Sequence, residues 1–223
     1  GFNLTMPNKN KIVELLDELS PEAQLIGAVN TVLNDNGKLI GYNTDGYGFM
    51  QSVRDAGHDI TGKNITVMGV GGASMAICAQ SALDGAASAR RTSRYWNRTQ
   101  KFAENLSAKT GCQVCLFDND DHTALRDSIA QSYLLINATS VGMVPDIDDT
   151  IIKDTSLFHP ELVVADVVYE PQETRLLREA KAAGCQTFNG MYMLLHQGAK
   201  AFQIWTGQEM PVSVIKEKYF SVK

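Results

Sequence analysis

The sequence predicts an α/β protein built on a doubly wound parallel sheet, and three observations carry that prediction. Short apolar, β-branched runs recur along the chain, among them Ile65-Thr66-Val67-Met68, Leu134-Leu135-Ile136-Asn137 and Leu162 to Val168, as buried strands do. Stretches with apolar residues at helical spacing separate them, and strands alternating with helices imply parallel pairing. The third observation is the segment Gly69-Val70-Gly71-Gly72-Ala73-Ser74, which leads from the first of these strands into the helical stretch Met75 to Leu83. Strand, glycine turn and helix make the opening unit of a Rossmann-type fold. The glycines let the backbone turn sharply and approach a pyrophosphate, which sits at the positive end of the helix. The spacing is G-x-G-G-A-S, so Ala73 or Ser74 must serve the close packing of helix on strand. Taken alone, the segment also reads as a tight turn with no ligand.

In chain order, Gly1 to Pro7 reads as the end of a strand running into a turn. Asn8 to Leu19 is predicted as an amphipathic helix on Ile12, Val13, Leu15, Leu16 and Leu19, and Ser20-Pro21-Glu22 as a helix start. Ile26 to Leu33 and Leu39 to Tyr42 are predicted strands split by the hairpin turn Asn34-Asp35-Asn36-Gly37. Tyr47 to Ala56 is then a helix. After the glycine unit come a strand at Gln113 to Phe117, a helix around Thr123 to Ser132 and the strand Leu134 to Asn137. The strand Leu162 to Val168, a helix from Thr174 to Ala183, a strand from Cys185 to Phe188 and a long helix from Met191 to Thr206 close the pattern. The polar segments GVGGAS, NATSVG, VVYEP and NGMYM all follow strand ends, where ligands gather in such sheets. One segment fits badly. Gly85 to Trp96, GAASARRTSRYW, offers almost nothing apolar before Tyr95, whereas a central parallel strand is buried on both faces. Either the strand is unusually polar or a few residues are absent here, and the second is the expectation.

The 223 residues, 44% hydrophobic and 20% charged, suit one large or two small domains of ordinary globular composition. A net charge of −5 with no Lys/Arg cluster argues against a nucleic-acid surface. No apolar run approaches the ~18 residues of a membrane span. The cysteines Cys78, Cys112, Cys115 and Cys185 lack metal-ligand spacing, and Cys112-Gln-Val-Cys115 lies in a predicted strand, where alternate residues face apart. They are expected to be free thiols of a reducing cytoplasm, with no metal.

Seven segments in order, GFNLTMPNK, IGAVNTV, GYNTDG, GVGGAS, NATSVGM, DVVYEPQET and NGMYMLLHQGA, resemble the shikimate/quinate dehydrogenase family along nearly the whole chain. The resemblance implies reversible NAD- or NADP-dependent oxidation of a ring hydroxyl of shikimate or quinate, a step of aromatic amino-acid biosynthesis. It also implies a small substrate domain beside a Rossmann cofactor domain, with the active site between them. On that pattern residues 1–56 are the C-terminal part of the substrate domain, 57–190 the cofactor domain, and 191–223 closing helices that return toward the first. The family's opening strand and helix, with a Ser-x-Ser motif for the substrate carboxylate, do not precede Gly1, so the chain is expected to begin inside the substrate domain. A monomer or homodimer is expected.

By the same resemblance Lys9 is the catalytic lysine and Asp45 its acidic partner. Asn30, Asn43, Thr44 and Gln197 bind substrate hydroxyls. Gly69, Val70, Gly71, Gly72 and Ala73 hold the pyrophosphate, and Thr139, Ser140, Val168, Tyr169, Gly190 and Met193 surround the nicotinamide ribose and ring. The chemistry needs such a lysine, because a hydroxyl proton must leave as hydride leaves carbon. Without the resemblance, Lys9 is a surface lysine, Asp45 a helix-capping carboxylate, Asn30 and Asn43 amides that satisfy backbone, and Met193 core. The family reads the adenosine ribose with an Asn-Arg-Thr motif. Asn97-Arg98-Thr99 has those letters but lies far past Ser74, and Ala89-Arg90-Arg91-Thr92 fits the position better. Arg90 and Arg91, with no acid nearby, suit a 2′-phosphate and lean the choice to NADP. A dehydrogenase of another polyol acid, or a regulatory domain that binds NAD(P)H without turnover, are the alternatives. Retention of both Lys9 and Asp45 argues against the second.

Overall fold

The computed structural model describes residues 1–69, 71–92, 96–118 and 120–220. Two sheets organise them. The smaller holds β1 (Phe2–Asn3), β2 (Glu18–Leu19), β3 (Thr31–Asp35) and β4 (Lys38–Tyr42) in the order β1-β3-β4-β2. Between β3 and β4 the hairpin closes as the residue types demand. Asn36 and Gly37 both adopt positive φ, 51° and 98°, and Gly37 N donates to Asn34 Oδ1 at 2.8 Å. Helix α1 (Pro21–Ile26) starts at Ser20, whose hydroxyl accepts from Ala23 N.

The second sheet is parallel throughout: β5 (Asn64–Met68), β6 (Ser88–Thr92), β7 (Gln113–Phe117), β8 (Leu134–Asn137), β9 (Val163–Asp166) and β10 (Gln186–Phe188) lie in the order β10-β9-β8-β5-β6-β7. Helices α2 (Asp45–Asp55), α3 (Gly72–Leu83), α4 (Trp96–Thr110), α5 (His122–Ala130), α6 (Arg175–Ala182) and α7 (Met191–Thr206) surround it, and α8 (Val212–Ile215) follows. Side chains alternate between two cores. Ile65, Val67, Leu134, Ile136, Val163 and Ala165 face one, with Phe49, Ile77 and Leu106. Met68, Leu135 and Val164 face the other, with Ile129, Leu176 and Leu177. Burial on both faces explains why these strands are continuous apolar runs. The strand order reverses between β5 and β8, and the carboxyl ends of that pair are where such a sheet binds ligands.

Two expectations are corrected. Asn8 to Leu19 is no continuous helix: Lys11–Leu15 is a short 3-10 turn with no side-chain cap at Asn10, and Glu18–Leu19 pairs in parallel with Ile40–Gly41. The backbone of Asp17 donates to Leu39 O, and its carboxylate accepts Leu39 N at 2.7 Å. An open sheet edge therefore captures the segment, while Ile12, Val13, Leu16 and Leu19 still pack against Ala23, Val29 and Val32. The helical spacing reported a buried face correctly and its secondary structure wrongly. The second correction is β6. Residues 88–91 pair with β5 and 88–92 with β7 without interruption, so the polar strand itself fills the place where missing residues were expected. Ala89 and Arg91 are buried, and the arginine is tolerated inside because its Nε donates to Ser74 Oγ at 2.7 Å.

Helix α2 is seated by glycines. A Cβ on Gly46 would lie 2.3 Å from Ala76 O of α3, and one on Gly48 would lie 2.7 Å from both Gln197 N and Met193 O of α7. The three helices therefore pack backbone to backbone. Gly48→Ala is expected to lose about 1–3 kcal/mol of stability in urea melts and to lower activity, because α7 must shift; a neutral substitution on both counts would show that the contact is slack.

Candidate active site

Between the smaller sheet and the carboxyl edge of the larger one lie two adjoining cavities. The larger, about 730 Å³, is lined by Met6, Gly71 to Ala73, Ala138 to Ser140, Met143, Val144 and Val167 to Glu170. The second, about 550 Å³, is lined by Asn3 to Thr5, Lys9, Asn30, Asp45, Gly190, Met193, Leu194 and Gln197. Ala73, Val167 and Tyr169 line both, which is where two bound molecules would touch.

The larger cavity opens over the glycine turn and the start of α3, where sheets of this kind bind dinucleotides. Gly69 takes φ +128°, and a Cβ there would lie 2.7 Å from Ala138 O, so the turn out of β5 needs glycine. A Cβ on Gly71 or Gly72 would meet open space, which leaves room for phosphate against the backbone. Helix α3 has no side-chain cap, so its first N–H groups are available to an anion. Ser74, fully buried, serves the packing role assigned to it or Ala73: its hydroxyl donates to Gly69 O at 2.8 Å. Thr139 and Ser140 leave β8, Val168 and Tyr169 leave β9, and all four line the remainder. Gly190 is needed where the backbone passes close, since a Cβ would fall 2.1 Å from Val167 O. Val70 lies outside the described residues, as do the side chains of Asn97 and Arg98.

In the second cavity Lys9 Nζ and Asp45 Oδ2 are 2.7 Å apart, with side chains 21% and 10% exposed. Asp45 opens α2, where the helix end favours a negative charge. Asn30 Nδ2 lies 2.8 Å from Asp45 Oδ1, 3.0 Å from Thr44 Oγ1 and 3.1 Å from Gln197 Oε1. The backbone of Lys9 is pinned beside this group, because Val29 N donates to Lys9 O. Side chains from the segments beside the smaller sheet, from α2 and from α7 thus share one polar cluster.

Other expected residues lie elsewhere. Asn43 and Thr44 are buried and line neither cavity. Asn43 donates to Ala28 O and accepts Asp45 N; Thr44 N donates to Asn30 Oδ1. Their contacts fix the start of α2. Arg90 and Arg91 stand within β6 and not beyond its end. Arg90 donates to Asp127 O and Gln131 Oε1 on the α5 side, and Arg91 reaches under the glycine turn to Ser74. Neither lines either of the two cavities. Asp166 escaped the sequence reading, although an acid closing the apolar run Val163-Val164-Ala165 was its signal. Burial pushes its carboxyl up from 3.8 to about 6, despite hydrogen bonds from Val168, Thr174 and Asn137 that favour the charged form.

Two family models match the chain. Residues 1–32 match the model of the shikimate dehydrogenase substrate binding domain, and residues 190–218 that of the shikimate 5'-dehydrogenase C-terminal domain. A shikimate dehydrogenase (NADP(+)) of Listeria innocua is 51% identical over 223 residues, which span 99% of this chain and 77% of the relative. The chain belongs to the shikimate/quinate dehydrogenase family. A quinate/shikimate dehydrogenase of Escherichia coli is 41% identical, over 97% of this chain and 76% of that one. The solved structure of shikimate 5-dehydrogenase from Listeria monocytogenes in complex with shikimate and NAD superimposes with a TM-score of 0.92 at 50% identity, over 96% of this chain and 75% of that one. The parallel sheet and the smaller mixed sheet are the family's fold.

The raised value of Asp166 sets a pH test. The fold holds this proton more tightly than the unfolded chain, so the stability it contributes is full below about pH 4 and is lost as pH rises through about 6. Over that window wild type should lose about 3 kcal/mol relative to Asp166→Asn in urea melts; parallel pH curves would contradict a buried titrating carboxyl.

Proposed function

We propose that the protein is an NAD- or NADP-dependent oxidoreductase interconverting shikimate and 3-dehydroshikimate, quinate and 3-dehydroquinate, or both. The observation that carries this reading is the Lys9–Asp45 pair at 2.7 Å, in a cavity that adjoins a dinucleotide cradle at Ala73, Val167 and Tyr169. A regulatory domain that only binds the nucleotide has no use for such a pair.

When bound, the nicotinamide supplies hydride chemistry at the ring carbon of the substrate. The chain's own residues handle the proton. In the oxidative direction Lys9 accepts the hydroxyl proton as the carbonyl forms, and in the reductive direction it returns that proton to the carbonyl oxygen. Asp45 holds the ammonium form and offers an acceptor to a neighbouring ring hydroxyl. Asn30 keeps Asp45 in place and, with Gln197, presents amide groups to the substrate. Met6, Met143 and Val144 form apolar lips on the larger cavity, which limit water beside the reacting carbon.

The phosphorylated cofactor is favoured by the name of the Listeria innocua relative; Arg91 is buried against Ser74, and Arg90 donates to Asp127 O and Gln131 Oε1 at the surface. Residues 1–56 are assigned to the substrate domain and 57–190 to the cofactor domain, with 191–223 returning α7 to the substrate side. Four free thiols fit a reducing cytoplasm. Among the described residues no helix is long and apolar enough to cross a membrane.

Initial rates with shikimate and quinate, each crossed with NAD and NADP, test the reading through the absorbance of the reduced cofactor. Turnover in at least one combination is expected. Silence in all four with intact cofactor binding would favour a dehydrogenase of another polyol acid or a domain that binds the nucleotide without turnover. Lys9→Ala is expected to lower kcat by about 10²–10⁴ and to leave cofactor affinity unchanged; a fully active variant would remove Lys9 from the chemistry.

A further inference from the structure

The loop after β8 and the loop after β9 form facing walls of the larger cavity, beyond the glycine turn, and a buried carboxylate lies beneath both. We propose that Asp166, which lines neither cavity, is the positioning residue that holds these two walls at the separation required by the nicotinamide half of the cofactor. The proposal rests on the dehydrogenase reading above.

The register sets Asp166 directly beside Asn137 in the neighbouring strand. Asp166 Oδ1 accepts from Val168 N and from Asn137 Nδ2, both at 2.9 Å, and Oδ2 accepts from Thr174 Oγ1 at 2.8 Å. Asn137 passes the constraint on. Its Oδ1 accepts from Thr139 N at 3.0 Å and Thr139 Oγ1 at 2.7 Å, while its Nδ2 donates to Val141 O at 3.1 Å. One side chain therefore binds the β9 wall through the backbone of Val168 and the β8 wall through Asn137. It also holds the hydroxyl that caps α6, because Thr174 Oγ1 accepts Leu177 N.

Asp166 is fully buried, and all three of its donors are neutral. Keeping a carboxylate out of water on neutral donors costs stability. Such a cost, placed under the mouth of a ligand cavity, is explained by the geometry it imposes there. The charge itself is dispensable for that geometry. An amide in the same place can accept from Val168 N and Asn137 through its oxygen and donate to Thr174 through its nitrogen.

The test compares Asp166→Asn, Asp166→Leu and Thr174→Val with wild type. NADPH binding is followed by nicotinamide fluorescence, binding of adenosine 2′,5′-bisphosphate by calorimetry, and kcat and cofactor KM by initial rates. Asp166→Leu is expected to weaken NADPH and raise cofactor KM by about tenfold or more, and to lower kcat, with unchanged affinity for the adenosine fragment. Asp166→Asn should restore near-wild-type values for all of these. Thr174→Val, which removes one of three donors, keeps the test open if the leucine variant fails to fold, and should weaken NADPH about threefold without touching the fragment. Equal losses for NADPH and the fragment would overturn the proposal in favour of general stabilisation. Wild-type binding in Asp166→Leu or Thr174→Val would overturn it as well. The fluorescence titration needs no turnover, so inactivity toward shikimate and quinate would count against the dehydrogenase reading alone.

Discussion

The backbone contacts on either side of α2 are the constraint on which the rest of the cleft depends. Gly46 lets the helix meet α3, which begins at the phosphate cradle, and Gly48 lets it meet α7 at the backbone of Gln197. A larger residue at either position would push against main chain, which has no rotamer to give. Asp45, the first residue of α2, is thereby fixed at once relative to the cofactor helix and to the helix that carries Gln197. The polar cluster follows from this seating. Asn30 reaches both Asp45 and Gln197, a residue 167 positions away, and the pairing of Lys9 with Asp45 completes the group. The geometry of this cluster comes from how closely three helices approach, and the side chains refine it.

A second constraint governs the cofactor side. Around the β5–β8 switch point each wall is built by a different device. Glycine at position 69 passes under Ala138, Ser74 ties α3 back to the turn, and Asp166 ties the β8 and β9 loops to each other. These are short-range, directional contacts among buried groups of the chain itself, and contacts of that kind preorganise a site. Preformed sites lose less freedom on binding than loops that must order.

Much of this was legible in the sequence because it rests on local rules. Asn36-Gly37, Ser20-Pro21 and the glycine turn after β5 are backbone-geometry signals that tertiary context did not override, and β7, β8 and α7 begin and end where the apolar pattern places them. What was hidden depended on partners distant in the chain. The spacing of Ile12, Val13, Leu16 and Leu19 could not say that the edge of β4 was open to pair with Glu18–Leu19. The string SARRT looked too polar for a central strand because the partner of Arg91, Ser74, sits 17 residues earlier. Asn43 and Thr44 share one motif with Asp45, yet only the third faces the cavity, since the helix start consumes the other two. The role of Asp166 required knowing that Asn137 would lie beside it.

The claim that Lys9 and Asp45 act as a single proton-handling unit is tested most directly by a double-mutant cycle on kcat, with Lys9→Met, Asp45→Asn and the pair combined, and with cofactor affinity as the control. If the two work only together, the double variant turns over no more slowly than the worse single variant while cofactor binding stays constant. Losses that multiply would mean that the residues act independently, and the 2.7 Å pair would then be a structural contact beside the reaction and no part of it.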